Sequence, residues 1–139
     1  QSGAVMAFQL LNNLGMPAEE IAQIVAAIGN HDESSSVPVN AIAAALILAD
    51  KTDVRRSRVR NRNEITFDIH DRVNYAVEKA ALTFNGVEKT ITLDLTIDTE
   101  ICSVMEYFEI FLSRMELCQR AAEFFGAKFC LLTNGLKVM

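Results

Sequence analysis

Over residues 90–97 the chain reads Thr-Ile-Thr-Leu-Asp-Leu-Thr-Ile, so apolar Ile91, Leu93, Leu95 and Ile97 alternate with polar Thr90, Thr92, Asp94 and Thr96. Period two of this length describes a strand with one buried and one wet face. Upstream of residue 82 the apolar positions instead recur every three or four residues. The chain thus changes period once. That change predicts an α+β fold: an all-helical part over residues 1–81, then a small antiparallel β–β–α–β–β unit over residues 82–139.

Within the first part, residues 2–14 read as a helix stopped by Gly15, a residue suited to the left-handed position after a helix. Pro17 opens a second helix, with Glu19 and Glu20 favourably placed in its first turn and Ile21, Ile24, Val25 and Ile28 forming a buried stripe. It runs out at Gly29-Asn30 and leaves His31-Asp32 at its carboxyl end. Pro38 opens a third helix, with Ile42, Leu46, Ala49, Asp50 and Asp53 on one side. This helix is expected to continue through Arg55, Arg56 and Arg58 to about Val59, before a loop at Asn61-Arg62-Asn63. Asp71 is the expected cap of a fourth helix over residues 72–81.

In the second part Leu82 and Phe84 lead into an Asn85-Gly86 turn. After the alternating strand, Asp98 or Thr99 is the expected cap of a long amphipathic helix over residues 101–125, ended by Gly126. A strand over 129–132 then turns back at Asn134-Gly135 into residues 136–139.

With 139 residues, half of them hydrophobic, the chain has ample material for a core. The net charge of −5 argues against a protein that coats nucleic acid, although the arginines of residues 55–62 keep local anion binding open. Cys102, Cys118 and Cys130 have no metal-type spacing and lie in apolar surroundings, which reads as small core residues in a reducing, cytoplasmic setting. No apolar run reaches the roughly 18 residues of a membrane span, and no signal-peptide layout is present. The chain starts at Gln1 in what reads as mid-helix, so it is expected to be the carboxyl-terminal part of something longer.

Chemistry concentrates around Asp50. A carboxylate ending so apolar a helix needs a partner; it is either a metal ligand or an aspartate paired with an arginine at a frayed end. His31 lies on the face of Ile28 and either binds a metal or interacts with the helix dipole. Asp32 beside it is either a water-positioning group or a solvated loop residue. Arginine suits bidentate phosphate recognition, though a run of charge also suits a solvated helix face. His70-Asp71 reads as loop plus helix cap. There is no Gly-rich phosphate loop and no nucleophile elbow.

The segments Ile28-Gly-Asn-His-Asp-Glu33, Leu48-Ala49-Asp50-Lys51 and Arg55 to Asn63 resemble the later half of HD-domain metal-dependent phosphohydrolases. In that family a helical fold holds one or two divalent metals through an early histidine, a His-Asp pair, sometimes further histidines, and a final aspartate in a Leu-Ala-Asp-Lys/Arg segment. The resemblance covers roughly residues 1–75. It implies that His31 and Asp50 are metal ligands, with Asp32 and Asp53 acting on the water and Lys51, Arg55 and Arg56 contacting phosphate. His31 corresponds to an intermediate histidine, with the early histidine and the His-Asp pair upstream of Gln1. The metal is Mn, Fe, Ni, Zn or Mg, which spacing does not separate.

The implied function is hydrolysis of a nucleotide or other phosphoester by metal-activated water. With so few ligands the chain alone is expected to be inactive, and the upstream segment is its first partner. The alternative is a non-catalytic HD-like scaffold whose β–β–α–β–β unit binds a partner or a second copy, for instance through the edge strand at residues 136–139. Nucleic-acid binding through residues 55–62 is a weaker third reading, and no membrane partner is expected.

Overall fold

The computed structural model describes residues 2–31, 37–60 and 68–139. Five helices and a four-stranded sheet make a mixed α/β fold. Helices α1 (Ser2–Asn13) and α2 (Ala18–Gly29) form a hairpin. Its turn uses Gly15 at φ +75, and Met16 N–H reaches back to the Leu11 carbonyl at 3.1 Å, a left-handed helix end that glycine adopts without steric cost. Of the expected stripe on α2 only Ile21 is fully buried, together with Ala27; Ile24, Val25 and Ile28 are half-buried.

Helix α3 (Ala41–Lys51) begins at Asn40, whose side chain accepts from Ala43 N–H at 2.8 Å and donates to the Gln23 carbonyl of α2 at 3.1 Å. It stops at Lys51 and does not run on through the arginines. Thr52 takes the Leu48 carbonyl with its own hydroxyl at 2.6 Å, a local bond that competes with helix continuation. Val54 is then fully buried. Arg56–Arg58 make only a single 3-10 turn. The loop expected at residues 61–63 lies outside the described residues.

Helix α4 (Ile69–Ala76) is also shorter than its sequence suggests, and its cap is Asp68, which accepts from Asp71 N–H at 2.8 Å. Strand β1 (Val77–Asn85) follows at once, so residues 1–81 are not all helical. Val73, Ala76, Val77 and Ala80 have helical spacing, but pairing of residues 77–85 with β2 (Thr90–Ile97) overrides it. Strand β2 has the alternation expected of it: Ile91, Leu93, Leu95 and Ile97 are buried.

Helix α5 (Val104–Phe124) is capped later than expected. Ser103 and Glu106 form a reciprocal capping box, Ser103 N–H donating to Glu106 Oε2 at 2.8 Å and Glu106 N–H to Ser103 Oγ at 3.2 Å. Asp98 instead organises a turn, its carbonyl accepting from Ile101 and Cys102 N–H at 3.2 Å. Strands β3 (Lys128–Thr133) and β4 (Leu136–Lys137) complete the sheet in the order β1-β2-β3-β4. The sheet is mixed and not antiparallel, because β2 and β3 pair parallel. A helix of α5's length spans about 30 Å, enough to carry the chain back along β2 so that β3 starts at the same end.

The β3–β4 turn holds a second fixed point. Asn134, at φ +50, accepts from Ile97 N–H at 2.8 Å and donates to the Ile97 carbonyl at 3.0 Å, so one side-chain amide closes the end of β2 as a strand would. Asn134→Ala loses both bonds and places alanine at positive φ. It is expected to cost about 2–3 kcal/mol in urea unfolding, whereas Asn85→Ala, at the exposed hairpin turn, is expected to cost less than about 1 kcal/mol.

One hydrophobic cluster takes Ala44, Ile47, Leu48, Val54 and Val73 from before residue 81 and Leu93, Leu95, Phe111, Met115 and Leu131 from after it. The three cysteines are free and buried. Among the described residues no helix is long and apolar enough to cross a membrane.

Candidate functional site

The carboxyl ends of α2 and α3 bring His31 and Asp50 into one neighbourhood, alongside the middle of α5. Asp50 is half-buried at the last turn of α3, and its Oδ2 lies 2.9 Å from Lys51 Nζ. Lys51 is itself buried, only 6% exposed. Burial pushes the Asp50 carboxyl up, but the Lys51 hydrogen bond and the charges of Lys51, His31 and Arg114 outweigh it and hold its pKa below the ordinary 3.8. Asp50 is therefore ionised at neutral pH.

His31 follows α2, and its Nδ1 is 2.6 Å from the Ile28 carbonyl. A carbonyl oxygen only accepts, so Nδ1 carries the proton and the Nε2 of the neutral ring keeps its lone pair. This is the way proteins orient a metal-binding imidazole. The donor chemistry of His31 and Asp50, one neutral imidazole nitrogen and one ionised carboxylate, fits a divalent metal. Among the described residues no group of three His, Cys, Asp or Glu side chains is placed to hold a metal ion. Asp32 lies outside the described residues.

The remaining candidates fall elsewhere. Asp53 is gripped by Arg55 Nε at 2.8 Å and Arg58 Nη1 at 2.7 Å. Arg56 donates from Nε to the Tyr75 carbonyl at 2.7 Å and lies over the Tyr75 ring at 4.6 Å. Its buried Nη2 has no hydrogen-bond partner, with Glu78 and Asp98 carboxylate oxygens at 3.8 and 3.9 Å. Arg56 thus ties the chain after α3 to the end of α4 and the start of β1. Arg55 reaches a phosphate only by leaving Asp53.

Residues of α5 that sequence reasoning passed over complete the neighbourhood. Arg114 is half-buried, its guanidinium carbon 4.6 Å above the Phe111 ring. Cys118 is fully buried, and desolvation pushes its thiol up to about 12 despite the lowering charges of Lys51 and Arg114. It stays protonated and unreactive at neutral pH. Burial likewise raises the Tyr107 hydroxyl. His70 is exposed at the start of α4, its ring centroid 6.4 Å from that of Phe111.

A separate apolar cleft of about 510 Å³ opens between α3 and the β1–β2 hairpin, lined by Ala45, Ala49, Leu82, Phe84 and Phe125 with Lys89 at its edge. Neither His31, Asp50 nor Arg114 lines it. A smaller cleft of about 180 Å³, lined by Phe8, Met16 and Ile21, separates α1 from α2.

No match is found for this chain among protein-family profiles, curated proteins or solved structures.

Proposed function

We propose that this chain is the carboxyl-terminal part of an HD-type metal-dependent phosphohydrolase acting on a nucleotide or other phosphoester. The observation that carries the reading is the pairing of an ionised Asp50 with a His31 ring whose Nδ1 is held by the Ile28 carbonyl, two donors prepared for one cation. In this reading α2, α3 and α4 belong to the helical HD-like part. His31 and Asp50 hold a divalent metal (Mn, Fe, Ni, Zn or Mg) together with ligands from residues preceding Gln1. When bound, the metal supplies an activated water and polarises the phosphoester. Lys51 steadies the Asp50 carboxylate and neutralises phosphate charge, while Asp32 and Asp53 order the water side. The cellular setting is cytoplasmic.

The test uses the natural protein that contains this chain. Its metal content and its release of phosphate from nucleotides and from p-nitrophenyl phosphate are measured beside the Asp50→Ala variant. The variant is expected to lose bound metal and turnover together. Unchanged metal stoichiometry and turnover would remove the assignment.

A second reading, a non-catalytic scaffold that self-associates, is favoured by one feature. Helix α1 buries none of its residues and contains no charged side chain, while Met6, Leu10 and Leu14 are 68%, 61% and 73% exposed. An apolar helix in this state tends to pair. Light scattering that returns a monomer mass across a hundredfold concentration range, roughly the span over which mass action resolves micromolar pairing, would count against it.

A further inference from the structure

Helix α3 lies against α5, and the stripe of α5 that faces the core carries Phe111, Met115 and Cys118, all fully buried. Arg114 stands at the margin of that stripe, one residue before Met115. Its guanidinium is stacked on Phe111, whose ring also neighbours His70. Stacking fixes the plane of the group and leaves its N–H edge to point outward, the arrangement that suits bidentate binding of a phosphate. The charge of Arg114 is felt by Asp50, Tyr107 and Cys118 alike, which sets it among these groups. By contrast, Arg55 and Arg58 grip Asp53, and Arg56 is locked to Tyr75.

We propose that Arg114, carried by α5 and stacked on Phe111 beside the last turn of α3, is the residue that positions the substrate phosphate against the His31–Asp50 pair. The proposal rests on the phosphohydrolase reading and assigns α5 a part in the site. Arg114 takes the role that the sequence gave to Arg55 and Arg56.

The experiment follows inorganic phosphate by ³¹P NMR in magnesium buffer with the full chain, Arg114→Met, Arg114→Lys and, as a charge-matched control on the same helix, Arg120→Met. Methionine keeps an unbranched stem over Phe111 and removes the charge. Arg114→Met is expected to weaken phosphate binding by about tenfold or more, Arg114→Lys to fall between, and Arg120→Met to match the wild type. Manganese affinity, read by electron paramagnetic resonance, is expected to be unchanged in Arg114→Met. Wild-type phosphate affinity in Arg114→Met, equal loss in Arg120→Met, or no saturable binding by the wild type overturns the proposal. Failure of the parent reading has a different signature: Asp50→Ala then leaves manganese binding unchanged, whatever Arg114→Met does to phosphate.

Discussion

Phe111→Ala is expected to lower stability by about 3–5 kcal/mol, the largest effect of any single truncation considered for this fold. Phe111 is fully buried, meets the Tyr107 ring edge-on at 5.2 Å and supports the Arg114 guanidinium. Removing it opens a cavity where α3, α4 and α5 share one core, and that core relaxes only partly. In a thermal melt the loss corresponds to a drop of roughly 10–20 °C. Phe84→Ala is the matched comparison: the same residue type, 68% exposed on the hairpin, expected to change stability by less than about 1 kcal/mol. Equal melting of Phe111→Ala and the wild type would mean that α5 does not seat on the core as described.

Asp50→Ala is expected to act twice. It removes one of two prepared donors, so manganese affinity falls at least about 100-fold, beyond the roughly 10–100-fold that follows loss of a group merely supporting a ligand. It also leaves the buried Lys51 ammonium without the carboxylate at 2.9 Å, and breaking one side of such a pair is costly. The pH dependence has a definite sign. Because the folded Asp50 pKa lies below its ordinary 3.8, its contribution is fully present above about pH 4 and disappears as pH falls through the folded value. Acid titration of stability should therefore show a wild-type loss below about pH 4 that is diminished in Asp50→Ala. Identical acid profiles would show that Asp50 is as well solvated folded as unfolded.

What could be read from the sequence was whatever one local rule decides. The alternation of β2 survives because that strand has one buried face, and Gly15 ends α1 because left-handed backbone favours glycine there. The errors arose where tertiary pairing competed with local period. Residues 77–81 have helical spacing, yet an antiparallel partner turns them into β1. The arginines after Lys51 could have extended α3, but Thr52 takes the Leu48 carbonyl and Val54 turns into the core. The parallel β2–β3 pairing follows from the crossover through α5, which turn signals alone do not encode. The Ser103–Glu106 capping box was written in the sequence and lost to the earlier Asp98.

At the site, Asp50 was conspicuous because its helix is otherwise apolar, and His31 followed from its place beyond Ile28. Arg114 was not, because a lone cation in an amphipathic helix looks like its solvated face. A signal did exist, since Arg114 sits between Phe111 and Met115 and not opposite them. The arginine-rich run misled for the converse reason. Several of those guanidinium groups are engaged by Asp53, Tyr75 and neighbouring carboxylates.

The pairing of His31 with Asp50 is the central claim, and a double-substitution cycle on manganese affinity tests it most directly. Affinity is measured for the natural protein containing this chain, for His31→Ala, for Asp50→Ala and for the double variant. The account predicts that each single substitution weakens binding at least about tenfold and that the double variant is little worse than either, because groups holding one ion are strongly coupled. Manganese affinity that is the same in the double variant as in the wild type would contradict it.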